Sequence, residues 1–200
     1  MSSGPPPLVL ASRSPRRTDL LTMLGLAHET APADVDESWL PGEAPVAHAE
    51  RLARAKAAAL AARRPGALVV GSDTVVVIDG ELLGKPADAA DAVRMLLRLA
   101  GRTHVVATGV AVARDGVVHA AVETTRVRMR PFGEDLARAY AATGEPLDKA
   151  GAYGIQSRGA ALVEGIEGDF FTVVGLPVAR LLALLEAHGW RYAFGTLEAL

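Results

Sequence analysis

Two hydrophobic periods alternate along this chain, and each change of period marks a predicted element. PLVLAS, at residues 7–12, is a short continuous apolar run, the pattern of a buried strand. Leu20, Leu21 and Leu24 then recur at helical spacing. Ser14 is a favourable N-cap, Pro15 suits the first helical position and Gly25 follows the end, which frames a helix over 15–24. Residues 30–42 are polar and read as a loop, and 43–64 as a long helix closed by Pro65-Gly66. LVV, a break at Gly71-Ser72-Asp73-Thr74, and VVVI come next; Asp79-Gly80 is a hairpin signal, and ELLGKP returns. A helix at about 88–100 precedes a second hairpin, turning at Asp115-Gly116. The pattern closes with a helix at 133–142, the glycine-rich loop GEPLDKAGAYGIQSRGA, a strand ALVEG and a helix from Pro177. Hairpins mixed with βα units predict an α/β fold with a mixed, partly antiparallel sheet flanked by helices. Residues 7–200 read as one domain behind a disordered lead-in at 1–6.

Three polar placements break the pattern. Wound at about 100° per residue, the helix 43–64 puts Val46, Ala49, Leu52, Ala53 and Leu60 on one arc with Lys56 in its middle. A buried ammonium needs a partner; the alternative is that Lys56 snorkels past small alanines to water. Arg16 and Arg17 crowd the first turn of the helix at 15–24, where the helix dipole disfavours cations. An anion such as phosphate, gripped by guanidinium and backbone N–H groups, would offset that cost; otherwise both arginines are solvated.

The third is Asp73, bracketed by apolar strand residues. A two-residue turn at Asp79-Gly80 pairs Ile78 with Glu81 and, followed outward, Thr74 with Lys85. Strict alternation sends Asp73 and Lys85 to opposite faces unless Gly84 or a bulge re-aims the lysine. GELLGKP falls one residue short of a P-loop, and Pro86 stands where that loop needs Ser or Thr.

Charge and composition narrow the classes. With a net charge of −2, no overall field favours nucleic acid or a membrane, so a phosphate site must be local. The absence of cysteine removes disulfides, thiolate metal sites and a Cys nucleophile. The five histidines lack metal-ligand spacing, and no serine gains a nearby His and Asp. No apolar run spans a bilayer, and MSSGPPP lacks the features of a signal peptide, so the expected location is cytoplasmic.

Seven pieces in order resemble one family, the Maf nucleoside triphosphate pyrophosphatases: LASRSPRR (10–17), VDES (35–38), ARAKA (53–57), GSDTVVVIDGELLGKP (71–86), TGV (108–110), GEPLDKAGAYGIQ (144–156) and VVGLP (173–177). The resemblance implies a Maf/inosine-triphosphatase-like fold with a cleft between two lobes, and a single catalytic domain over 7–200. It implies hydrolysis of a nucleoside triphosphate to monophosphate and pyrophosphate, a divalent cation (Mg²⁺ or Mn²⁺) and a homodimer. The family's proton acceptor maps onto Asp73. Ser12, Arg16, Arg17, Lys56 and Lys85 map onto phosphate-binding positions, and Glu37 joins Asp73 as a metal ligand.

Within the family, a dTTP/UTP branch carries Thr after the catalytic Asp and Gln in GIQ, here Thr74 and Gln156. A 7-methyl-GTP branch tends to carry SDQ and lacks GIQ. Arg16, Thr74 and Gln156 thus resemble a specificity trio favouring a pyrimidine. Arg13, in the Ser-x-Ser slot, and Thr172, in place of a usual Asn, depart from the pattern. The competing readings are a purine or methylated-purine triphosphate as substrate, and a non-catalytic nucleotide-binding regulator of septum formation.

Overall fold

The computed structural model describes residues 4–200; of the lead-in expected at 1–6, residues 1–3 lie outside the described part, and 4–7 carry no helix or strand. The chain divides into two compact units. The first holds the chain up to Asp73, Thr108–Glu123 and Gly175–Leu200; the second holds Thr74–Ala107 and Thr124–Val174.

The elements run β1 (Leu8–Leu10), α1 (Pro15–Met23), β2 (Glu29–Thr30), α2 (Pro45–Ala61), β3 (Leu68–Ile78), β4 (Glu81–Leu83), α3 (Ala89–Leu99), β5 (Thr103–Arg114), β6 (Val117–Met129), α4 (Glu134–Ala141), β7 (Val163–Glu167), α5 (Phe170–Val174), α6 (Val178–Ala187), β8 (Trp190–Tyr192) and β9 (Leu197–Ala199). The sheet order is β2-β1-β3-β5-β6-β7, with β4 also on β3. β1 pairs in parallel with β2 and β3, whereas β3–β4 and β6–β7 are antiparallel. The fold is therefore α/β with a mixed sheet flanked by helices.

In the first unit α2 lies unusually close to the sheet, because two strand positions lack a side chain. A Cβ on Gly71 of β3 would run into the Ala53 carbonyl and sit 2.7 Å from Ala57 N. A Cβ on Gly109 of β5 would run into the Ala49 carbonyl and sit 2.8 Å from Glu50 N. Ala49, Ala53 and Ala57 fill the narrow seam and are wholly buried. In the same unit the C-terminal part of the chain returns to the end of α1, with Tyr192 Oη donating to Leu24 O at 2.8 Å.

The second unit has its own core, in which Val76, Leu96, Leu99, Val127 and Met129 pack with Tyr153. Its glycine-rich segment forms short 3₁₀ turns between 145 and 162. Glu145 binds that segment together: its carboxylate accepts from Tyr140 Oη at 2.8 Å, Gly159 N at 3.2 Å and Arg158 N at 3.3 Å.

Several expectations are corrected. No break interrupts residues 71–74: β3 is continuous from Leu68 to Ile78, since Gly71 is there for close packing rather than for a turn. Val46 is exposed rather than on the buried arc of α2, and His48 takes a buried place instead. The Asp79-Gly80 hairpin has the expected register, Ile78 with Glu81, and both turn residues have positive φ, as the tightest hairpin turn demands. Its ladder stops at Val76–Leu83, however, so Thr74 and Lys85 are not a ladder pair. The expected strand ALVEG begins two residues later, at Val163, and α5 and the β8–β9 hairpin had no separate signal in the pattern.

Candidate active site

The residue that breaks the apolar stripe of α2 supplies the centre of the site. Lys56 is 8% exposed, so its ammonium must be paired. Lys56 Nζ lies 2.7 Å from Asp73 Oδ1 and 2.8 Å from Glu37 Oε1. The close seating of α2 at Gly71 brings Lys56 down to β3, where Asp73 stands two residues along. Glu37 reaches the same ammonium from the polar loop between β2 and α2, and its side chain is the most open of the three. Two carboxylates thus converge on one cation.

A second cationic group stands beside them. Ser12 follows β1, and its Oγ accepts from Ser14 N at 3.0 Å and from Arg17 Nη1 at 3.3 Å. Arg17 also donates from Nη1 to Ser72 O at 2.9 Å and from Nε to Gly175 O at 2.7 Å. One guanidinium therefore ties α1 to nearby Ser12 and to two segments far away in sequence, at Ser72 and Gly175. Burial lowers the pKa of Arg17; the negative charge of Asp73 opposes that, Arg16 adds to it, and Glu37 opposes it again. Arg16, Arg17, Glu37 and Asp73 consequently share one electrostatic neighbourhood. The first turn of α1 holds no acidic residue, and Ser14 makes no side-chain cap. Its N-terminus thus presents positive potential with Arg16 half-buried there.

The hydrophobic pattern assigns no site role to Ser72, Gly71 or Gly109. Ser72, fully buried, has its Oγ 2.8 Å from Gly109 O and 2.9 Å from Gly175 O, so its single hydroxyl proton is shared between two carbonyls. The available signal was that GSDT, TGV and VVGLP each place a glycine beside a strand or turn; what it did not reveal was that one hydroxyl joins all three.

Thr74, Lys85 and Gln156 belong to the second unit. Thr74 is half-buried on β3, while Lys85, just beyond β4, and Gln156, in the glycine-rich segment, are exposed. Lys149 is engaged within that segment, donating to Glu145 O at 2.7 Å and pairing with Asp148 at 2.6 Å.

The profile of the Maf-like protein family matches residues 7–188. This chain belongs to the Maf family. It is 54% identical over 187 residues to a dTTP/UTP pyrophosphatase of Moorella thermoacetica, covering 91% of this chain and 95% of that protein. It is 50% identical over 183 residues to a dTTP/UTP pyrophosphatase of Symbiobacterium thermophilum, covering 92% and 94%. The like-named protein of Koribacter versatilis is 48% identical over 182 residues, covering 91% and 94%. The Maf match takes in the Ser12–Arg17 turn, Lys56 and Asp73 together.

The donor set suits a hard divalent cation. Glu37 and Asp73 both contact the Lys56 ammonium, which gathers one oxygen of each carboxylate at the same point. No cluster of three or more His, Cys, Asp or Glu side chains occurs among the described residues. Two carboxylates fit Mg²⁺ or Mn²⁺ of the kind that takes its remaining ligands from substrate phosphates and water. No helix of the described residues is long and apolar enough to cross a membrane.

Proposed function

We propose that this chain is a nucleoside triphosphate pyrophosphatase acting on dTTP and UTP. One observation carries the reading: a nearly buried lysine bridges Asp73 and Glu37 within the field of the Arg16–Arg17 turn, in a Maf chain about half identical to proteins named for that activity.

In this reading the triphosphate, with about four negative charges, meets Arg16, Arg17, Lys56 and Lys85, and Ser12 adds a hydroxyl. Hydrolysis of this kind depends mainly on positioning and charge stabilisation. Glu37 and Asp73 hold the divalent cation, which when bound neutralises phosphate charge and makes water easier to deprotonate. Asp73 accepts the proton of the attacking water. Lys56 fixes the carboxylate it touches and keeps that oxygen from rotating away. Water adds to the α-phosphorus, the bond to the bridging oxygen breaks, and pyrophosphate leaves with that electron pair. Thr74, Gln156 and Arg16 select a pyrimidine, Gln156 offering both a donor and an acceptor to the base edge. The protein works in the cytoplasm as a homodimer.

A panel of triphosphates with pyrophosphate detection, run with and without chelator, tests this. The expected outcome is release of pyrophosphate from dTTP and UTP that stops on chelation. Strong turnover of 7-methyl-GTP with idle dTTP and UTP would assign the purine reading instead, and binding without turnover of any triphosphate would favour a regulator.

A further inference from the structure

The loop that carries Glu37 has no helix or strand of its own between 31 and 44, yet it is fastened. Its fastening converges on Glu43, the residue before the N-cap of α2. Glu43 Oε1 accepts from Arg51 Nε at 2.6 Å, and Oε2 accepts from Arg51 Nη2 at 2.8 Å, a two-pronged grip of one carboxylate by one guanidinium. Oε2 also lies 2.8 Å from His48 Nδ1 and accepts from Leu40 N at 3.3 Å. The Glu43 side chain is only 8% exposed. The hydrogen bond from Arg51, more than any other contact, holds its pKa down at about 2.

The same group of residues grips the loop at further points. Arg51 Nη2 donates to Ser38 O at 2.9 Å, one residue beyond Glu37. Trp39 Nε1 donates to Glu43 O at 3.1 Å, and the Trp39 ring stacks on His48 with centroids 3.8 Å apart and 22° between planes. Before Glu37, Asp36 Oδ1 accepts from Ser38 N at 2.8 Å. His48 and Arg51 sit on the helix that presents Lys56, eight and five residues earlier. A single helix thus supplies both the ammonium that Glu37 touches and the anchor that holds Glu37's loop.

We propose that Glu43 is a positioning residue: acting through Arg51 and His48, it locks residues 36–43 onto α2 and so sets the Glu37 carboxylate beside Asp73. This rests on the reading of Glu37 and Asp73 as the cation's ligands. Glu43 itself contacts neither, so its effect is on the strength with which the cation is held. Loss of such support for a ligand typically weakens metal affinity by about 10- to 100-fold.

The test compares Glu43→Gln, Glu37→Gln and the double variant in the full chain. Mn²⁺ binding in the presence of a non-hydrolysable UTP analogue is measured by calorimetry, alongside hydrogen exchange of residues 36–43, thermal midpoints, and kcat and KM across a Mn²⁺ titration. Glu43→Gln is expected to speed exchange of that segment and to weaken Mn²⁺ binding about 10-fold, with kcat recovering at saturating Mn²⁺. Added to Glu37→Gln, it should change Mn²⁺ affinity by less than about 2-fold, because residues acting as a unit do not add. Arg51→Lys, which keeps the charge and removes the fork, should move Mn²⁺ affinity in the same direction; it serves as the variant if Glu43→Gln does not fold. Faster exchange with unchanged Mn²⁺ affinity, or additive losses in the double variant, overturns the proposal. Unchanged Mn²⁺ affinity in Glu37→Gln alone overturns the underlying assignment of Glu37, a distinct result.

Discussion

Lys56 holds Asp73 at 2.7 Å from inside the packed face of α2, and the same ammonium meets Glu37 at 2.8 Å. Replacing Lys56 by Met should remove the ammonium that both carboxylates contact. We expect turnover to fall by at least about 100-fold. The cost in stability should be about 1–3 kcal/mol, the usual range when a polar group loses its partner. For a chain of this size that corresponds to a drop of roughly 2–12 °C in Tm. Steady-state kinetics and a thermal melt read the two effects separately.

Asp73→Asn keeps the shape and an oxygen acceptor for Lys56 but cannot take a proton at neutral pH. Turnover should fall by at least about 100-fold, the low end for a lost acid–base group, while the variant still binds a triphosphate. Equilibrium binding of a non-hydrolysable analogue, set against pyrophosphate release, checks this; unchanged turnover would remove Asp73 from the chemistry.

Gly109→Ala places a methyl group against the backbone of α2 at Ala49 and Glu50, where no flexible side chain can give way. Misplaced methyl groups in tight packing cost about 1–3 kcal/mol and at times more. The helix must lift, and Lys56 with it. The expected signature is loss of stability together with loss of turnover, whereas Gly116→Ala, at an open hairpin tip, should cost stability through its positive φ and leave turnover alone. Thermal melts and initial rates on both variants suffice.

His104 lies in the core of the second unit with Nε2 2.7 Å from Tyr153 Oη and no hydrogen-bond partner for Nδ1. Burial lowers its pKa from 6.5 to about 4. An imidazolium would bury an unpaired N–H there, so the unfolded chain takes up the proton first. Stability from this group is therefore full above about pH 6.5 and is lost as pH falls toward 4. The loss should be about 2–3 kcal/mol over that window. His104→Gln, which does not titrate, should flatten this part of the acid limb in denaturant titrations at stepped pH.

Arg17→Lys should not behave as a conservative change. One guanidinium serves Ser12 Oγ, Ser72 O and Gly175 O, and a lysine ammonium lacks the planar fork that spans them. We expect a clear fall in Tm as well as in activity, whereas Arg16→Lys should leave Tm within about 2 °C; calorimetric melts distinguish the two.

What could be read from the chain follows its regularities. The helical period around Lys56 exposed it as an inward cation, and the Asp79-Gly80 turn fixed the pairing of Ile78 with Glu81, because periodicity and turn chemistry are local. Gly71 read as a break because a glycine in a strand looks the same whether it bends the chain or admits a neighbouring helix. Only the position of Ala53 and Ala57 distinguishes the two. The Glu43–Arg51–His48 cluster left no periodic trace, since hydrogen bonds that fasten an irregular loop obey no repeat. Extending the hairpin ladder would set Lys85 opposite Thr74, but the ladder ends at the Val76–Leu83 pair, a limit that the turn chemistry alone does not encode.

The alanine–glycine seam under α2 also bears on how freely this protein can vary. Its inner surface works as a depth gauge: Ala49, Ala53 and Ala57 are wholly buried beside Gly71 and Gly109, so a larger side chain there would push the helix off the strands. The outward residues Arg54, Ala58 and Ala59 on the same helix face water and can be exchanged for solubility, labelling or surface attachment without altering how far the lysine reaches.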